Sequence, residues 1–305
     1  MILRLLFQMY VVFILVLGFC VSYANALGPK ILIVTAHPDD ETAFAATIYK
    51  VTHDLNGIAD ILLVTNGEGG YKYSTLAEEV YHRSLTNEAE GRKSLPTIRK
   101  KELMSGGSYI GLRDYHFMDE QDTGFTLNPD SVLNIVWDTL RVIDKIRELQ
   151  IKHEYDFVFT LLPVESTHGH HKAATILALR AITGMDVKNK PIIVGCSVTD
   201  TTTKNFDSFS GLSSYPLTSM RPILPLDHFD RLTSFGFQQK LNYTIIVNWL
   251  IAEHKSQGAM QLAMGKGHHE QFWNYAINPP MAEEAIRKFA QQLRATPFNG
   301  YQHEK

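Results

Sequence analysis

The chain has 305 residues, 45% of them hydrophobic, with 29 basic against 32 acidic side chains and a formal net charge of −3. Such a length supports a large core, and the near-balance of charge excludes a partner held mainly by electrostatics, whether nucleic acid or an anionic membrane surface. A neutral or small polar substrate fits better.

The first 26 residues read as a cleaved secretory signal, with Arg4 in a short basic start, an apolar run from Val11 to Phe19 and a small-x-small site at Ala24-Asn25-Ala26. The run is shorter than the roughly 20 residues of a spanning helix, so no membrane span is expected after cleavage. The mature chain, 27–305, is expected to form one domain in a secreted or periplasmic setting. Cleavage leaves Cys196 as the only cysteine, which excludes an intramolecular disulfide. Homo-oligomerisation is left open.

Strand-like runs then appear at Ile31 to Ala36, Asp60 to Thr65, Tyr115 to Met118, Phe157 to Leu162 and Pro191 to Val198. Helical spacing marks Glu41 to His53, Arg99 to Ile110, Ser131 to Glu148, His171 to Ile182, Tyr243 to Met264 and Met281 to Ala295. The alternation predicts an α/β fold: a Rossmann-like, mostly parallel sheet with helices on both faces. Two stretches, 71–96 and 199–228, lack clear periodicity and are expected to be long loops or lids on the substrate side.

Chemistry concentrates in two motifs. Ala36-His37-Pro38-Asp39-Asp40-Glu41 follows the first strand-like run, and His168-Gly169-His170-His171 follows Phe157 to Leu162. Ligands of an open parallel sheet collect outside the carboxyl ends of its strands, so both motifs fall on one edge, where they can share an ion. A catalytic zinc takes three ligands from His, Asp or Glu and keeps a fourth position for water. His37 and Asp40 supply two, and His168, His170 and His171 all lie within reach of the third. Water on such an ion ionises near pH 7. Asp39, beside a ligand yet pointing differently, suits a general base, while His168 suits a donor to the oxyanion or the departing nitrogen. An aspartate N-cap for the following helix would account for Asp39 or Asp40 but leaves His37 unexplained. Fe(II) or Co(II) would fit the same donors.

With these residues in view, the chain resembles the LmbE/PIG-L family of zinc-dependent N-deacetylases. Residues 36–41 look like its AHPDDE signature and residues 168–171 like its HxxH signature. Weaker matches fall in order at Thr65-Asn66-Gly67-Glu68, Arg99-Lys100-Lys101-Glu102, Ile110-Gly111-Leu112, Asp122-Thr123-Gly124 and His254-Lys255-Ser256-Gln257. The resemblance implies zinc on His37, Asp40 and His171, Asp39 as base, His168 beside the tetrahedral intermediate, and Glu68, Arg99 and Asp122 on sugar hydroxyls. The expected function is an exported zinc-dependent deacetylase of an N-acetylated amino sugar or glycoconjugate. Alternatives are a zinc amidase on another acylated amine and a non-catalytic, metal-containing carbohydrate-binding protein. The spacing from Glu68 to Arg99 is longer than in small cytosolic members, which points to an inserted segment over the pocket.

Overall fold

A computed structural model of the chain describes residues 28–299 apart from 187, 189 and 201–207. The expected signal segment, 1–26, lies outside the described residues. The first strand, β1 (Lys30–Thr35), shows how the sheet acquires two faces: Ile31 and Ile33 enter one core, Leu32 and Val34 the other. Fully burying such side chains contributes about 1.5–3 kcal/mol each. A helical run over 40–54 follows, with α1 (Ala45–Tyr49) at its centre, then β2 (Ile58–Thr65), a 3-10 turn (Glu68–Tyr73), α2 (Thr75–Tyr81), α3 (Glu88–Tyr109) and β3 (Leu112–Glu120). Next come α4 (Asp130–Leu133), α5 (Thr139–His153), β4 (Phe157–Leu161), α6 (Gly169–Thr183) and β5 (Ile192–Thr199). The remainder comprises β6 (Asp227–Asp230), a small hairpin of β7 (Ser234–Phe235) and β8 (Leu241–Asn242), α7 (Thr244–Glu253), α8 (Gly258–Gln261), β9 (His269–Asn274) and α9 (Ala282–Ala295).

The main sheet has seven strands in the order β3-β2-β1-β4-β5-β9-β6. The first five run parallel, and β9 is antiparallel to both β5 and β6. Val142, Ile146 and Leu149 of α5 pack with α6 on one face; Leu103, Leu250, Ile286 and Phe289 bring α3, α7 and α9 to the other. The chain runs outward from β1 through β2 to β3, then returns to place β4 on the other side of β1. Between the carboxyl ends of β1 and β4 lies the crevice where such sheets bind ligands.

Several expectations are corrected. The stretch 71–96 is largely helical. Its few buried apolar residues, Ala77, Leu85 and Leu95, form a small separate cluster, which leaves little periodicity to read. Asn87 caps α3 by accepting from the Glu90 N–H at 3.2 Å, and Pro96 lies inside that helix instead of ending the segment before it. The helix expected over 131–148 is broken because buried Trp137 donates its indole N–H to the Gln121 carbonyl at 3.0 Å, after which Asp138 caps α5. That expected over 243–264 ends at Glu253. Strands β6 and β9 were concealed by polar residues; β9 buries Glu270 and Gln271 among its aromatic neighbours.

Candidate active site

Asp40 folds the turn after β1 around itself. One carboxylate oxygen, Oδ2, accepts from the backbone N–H groups of Ala36 at 3.0 Å and His37 at 2.9 Å, and the other stands 3.0 Å from His171 Nε2. His171 arrives on the first turn of α6, which His168 caps by accepting the His170 N–H on Nδ1 at 3.0 Å. Adjacent residues of a helix diverge by about 100°. Thus His171 meets Asp40, whereas fully buried His170 lies against Trp137 and reaches Thr123 Oγ1 at 3.0 Å.

Three donor atoms converge. His171 Nε2 is 3.0 Å from both His37 Nδ1 and Asp40 Oδ1, and the other Asp40 oxygen, Oδ2, lies 3.9 Å from His37 Nδ1. Tetrahedral zinc with bonds near 2.0–2.1 Å holds its ligand atoms roughly 3.3 Å apart, so the spacing and the two-imidazole, one-carboxylate chemistry both fit. A second histidine group, His37 with His168 and His170, is also close enough to hold an ion. It lacks a carboxylate, and two of its nitrogens are engaged outside it: His170 Nε2 with Thr123 Oγ1 and His168 Nδ1 as the helix cap, while His170 Nδ1 stands 3.1 Å from His37 Nε2. His170 is thereby placed to fix the ring of His37, and Thr167 Oγ1 does the same for His171 at 3.1 Å.

Charge in this cluster follows burial and proximity. Burial, reinforced by His171, holds His37 well below the ordinary histidine range. Burial likewise depresses His168, and takes His170 down to about 4. His171 moves upward: burial opposes this, but the Asp40 carboxylate outweighs it. Asp40 is correspondingly lowered, against the effect of burial, by His171 and by its hydrogen bonds.

Asp39 stands apart from the donor set. Burial pushes its carboxyl up to about 7 against the pull of Arg99, whose Nη2 lies 3.2 Å from Asp39 Oδ2. Arg99 is buried and also donates to the carbonyls of Pro38 and Gly67, stitching the two site loops together. Gly67 has φ 69°, and a Cβ there would lie 1.9 Å from Arg99 Nη1, so the approach requires glycine.

These residues open on a cavity of about 840 Å³ whose walls include His37, Asp39, Asp40, Arg99, Asp122, His168 and His171. Glu68 is not among them; it accepts the Asp122 N–H at 2.9 Å and so shapes the loop that carries Asp122. Asp122 Oδ1 accepts from the Gly124 N–H at 2.8 Å, and its Oδ2 lies 3.8 Å from His37 Nε2. Tyr71, Lys72, Tyr73, Glu88 and Arg92 close one side, placing part of the 71–96 stretch over the pocket; no described residue of 199–228 lines it. Phe125, 76% exposed, stands edge-on to His168 at the mouth, with ring centres 5.2 Å apart.

Sequence reasoning named Arg99 as a substrate contact and gave no role to Glu102 or Phe125. Arg99 and Glu102 share one face of α3, and while Arg99 reaches the site loops, Glu102 accepts the Ser256 N–H at 2.9 Å. That bond anchors the turn presenting Gln257 to the cavity. Their order in the sequence signalled this; their contacts did not. Phe125 carried no signal at all.

The family model for PIG-L, described as GlcNAc-PI de-N-acetylase, matches residues 32–182, a span that contains both metal motifs. The chain belongs to the PIG-L/LmbE family. A probable N-acetyl-alpha-D-glucosaminyl L-malate deacetylase 2 of Bacillus cereus is 24% identical over 169 residues, 55% of this chain and 68% of that protein. Among solved structures, N,N'-diacetylchitobiose deacetylase from Pyrococcus horikoshii aligns with a TM-score of 0.47 at 15% identity, over 80% of this chain and 83% of its own. The zinc-inhibited form of teicoplanin deacetylase Orf2 gives a TM-score of 0.47 at 16% identity, over 80% and 97%. At such distances the PIG-L/LmbE assignment rests on the family match and the motifs, and the function on the site.

Proposed function

We propose that this protein is an exported, zinc-dependent N-deacetylase that hydrolyses the acetamide of an N-acetylated amino sugar or glycoconjugate. The observation carrying the reading is the convergence of His37 Nδ1, Asp40 Oδ1 and His171 Nε2 on the wall of a large cavity, with the Asp39 carboxyl alongside and outside that set. Export rests on the signal-like composition of residues 1–26. No described helix is long and apolar enough to cross a membrane.

His37, Asp40 and His171 would hold a zinc ion, which would supply a Lewis acid and a water acidic enough to ionise near neutral pH. Asp39, beside the donor set but outside it, takes the proton from the water as that water adds to the acetyl carbon, and passes it to the amide nitrogen as the C–N bond breaks and the amine leaves. Because His168 Nδ1 accepts the helix N–H, its neutral ring keeps its proton on Nε2. That N–H is the donor for the oxygen of the acetyl carbonyl as it gains charge. Arg99 holds Asp39 in place, and Phe125 offers a ring edge and face to the apolar side of a sugar.

The test is free-amine release from a panel of N-acetylglucosamine conjugates and non-sugar acetamides, using protein of measured zinc content. Preferential, chelator-sensitive release from the sugars supports the reading. Preferential release from the other amides would move the substrate assignment to another acylated amine, and saturable sugar binding with no release would make this a binding protein.

A further inference from the structure

Asp39 has φ 114°, a strained backbone conformation for a non-glycine residue that persists only where its surroundings enforce it. The enforcement is visible. The Asp39 N–H donates to Glu41 Oε2 at 2.9 Å, and its carbonyl accepts from the Thr42 hydroxyl at 2.7 Å. The second oxygen of Glu41 is bonded to His254 Nε2. Glu41 and His254 are both fully buried and neither lines the cavity. Among the described residues His254 Nδ1 has no hydrogen-bond partner, and the ring's hydrogen bond is the one to Glu41. Its position is set independently, since the turn after α7 is held by Ser256 donating to Glu102 of α3 and accepting from Ser74 at 2.9 Å.

A buried ion pair is often replaceable by apolar side chains without loss of stability, so stability alone does not explain why this pair is buried here. Its geometry gives a more specific reason. With Oε1 tied to His254, the carboxylate plane of Glu41 is fixed and Oε2 is aimed at one N–H, that of the single strained residue in the motif. We infer that His254 and Glu41 form a positioning pair that locks the Asp39 backbone in its left-handed conformation and thereby directs the Asp39 carboxyl into the cavity. His254 is then neither a substrate contact nor a metal ligand. This rests on the assignment of Asp39 as base, and the test separates the two.

In the zinc-loaded full chain, His254→Ala is expected to lower kcat about 10- to 100-fold, the range for partners that orient a reacting group, with KM and zinc content unchanged. His254→Gln, whose amide nitrogen can still donate to Glu41, is expected to recover most of that loss. Combining His254→Ala with Asp39→Ala should cost no more than Asp39→Ala alone, because the pair acts through that carboxyl. A full additional loss in the double variant, or a raised KM with kcat intact, overturns the proposal. A structural readout stands apart from activity: in crystals of His254→Ala the Asp39 φ should turn negative, and retention of the positive φ refutes the device even if no substrate is found. Should His254→Ala fail to fold, Glu41→Asp, too short to span both partners, is expected to give the same kcat loss and the same change in φ, and their absence refutes it equally. If Asp39→Ala keeps full activity, the base assignment fails while the crystallographic test of the pair still stands.

Discussion

Two buried polar clusters in this fold behave in opposite ways. Around Glu270 both carboxylate oxygens are partnered: Oε1 accepts from the Ala46 N–H at 2.9 Å and Arg231 Nε at 2.8 Å, and Oε2 accepts from the Thr47 N–H at 2.8 Å. Arg231 supplies the opposing charge and also donates to the Thr42 carbonyl at 2.6 Å. Around His37, by contrast, two imidazole nitrogens and a carboxylate oxygen are pressed together with no lysine or arginine among them. A carboxylate met by an arginine holds structure; two imidazole nitrogens and a carboxylate oxygen gathered within reach of one point can hold a cation. Both clusters are polar and largely buried, and what separates scaffold from site is the partnering of donors and acceptors together with the access of the His37 cluster to the cavity.

That contrast can be broken by substitutions on either side. Asp39→Ala is expected to lower turnover by about 10²–10⁴-fold, the usual contribution of a general base, with zinc still bound by elemental analysis; loss of zinc in this variant would place Asp39 among the ligands. His171→Ala should lose zinc and activity together while its melting temperature without metal stays close to that of the metal-free parent. Glu270→Ala should do the reverse. Leaving Arg231 buried and unpaired is expected to cost about 3–5 kcal/mol in denaturant unfolding, with zinc stoichiometry of the folded fraction unchanged. If that variant also lost zinc selectively, the two clusters would not be separable.

Smaller effects sharpen the same distinction. Phe125→Ala, at an exposed position, should alter stability by less than about 0.5 kcal/mol. It should nevertheless raise KM for a sugar substrate by roughly 2- to 10-fold, as expected for one lost ring contact worth about 0.5–1.5 kcal/mol. Unfolding free energies and steady-state kinetics measured on one preparation would check both halves. The surface pair Asp227–Arg294 should matter least. Burial opposes ionisation of Asp227, but Arg294 outweighs it and depresses its pKa in the folded state. The pair therefore stabilises above about pH 4 and loses that contribution as pH falls through the lowered value; with Arg294 partly exposed, screening keeps it below about 1 kcal/mol. Arg294→Ala should remove this increment at neutral pH and make no difference in strong acid.

Four of the five parallel strands, β1, β2, β4 and β5, were legible because they are dense in β-branched and aromatic residues, β3 through Tyr115, Phe117 and Met118, and the metal motifs because His37 and His171 each follow such a strand. What escaped depended on contacts distant in sequence. Glu270 gives β9 a polar face that is buried only because Arg231 and the Ala46 and Thr47 N–H groups meet it. Likewise, α2 and the first half of α3 bury so few apolar side chains that no stripe betrayed them. Within the site, the motif order announced His254 and Glu102, yet their partners, Glu41 and Ser256, could be read only from the fold. For Glu68 the motif suggested a sugar contact, and the fold adds that its Oε1 accepts the Asp122 N–H.

Acetate and free-amine release should be measured side by side for the zinc-loaded protein, the chelator-treated protein and zinc-loaded Asp39→Ala on one N-acetylglucosamine conjugate. The account predicts stoichiometric release by the first alone, restored to the second when zinc is returned. Equal release by all three would contradict it, since neither the ion held by His37, Asp40 and His171 nor the carboxyl beside it would then be needed.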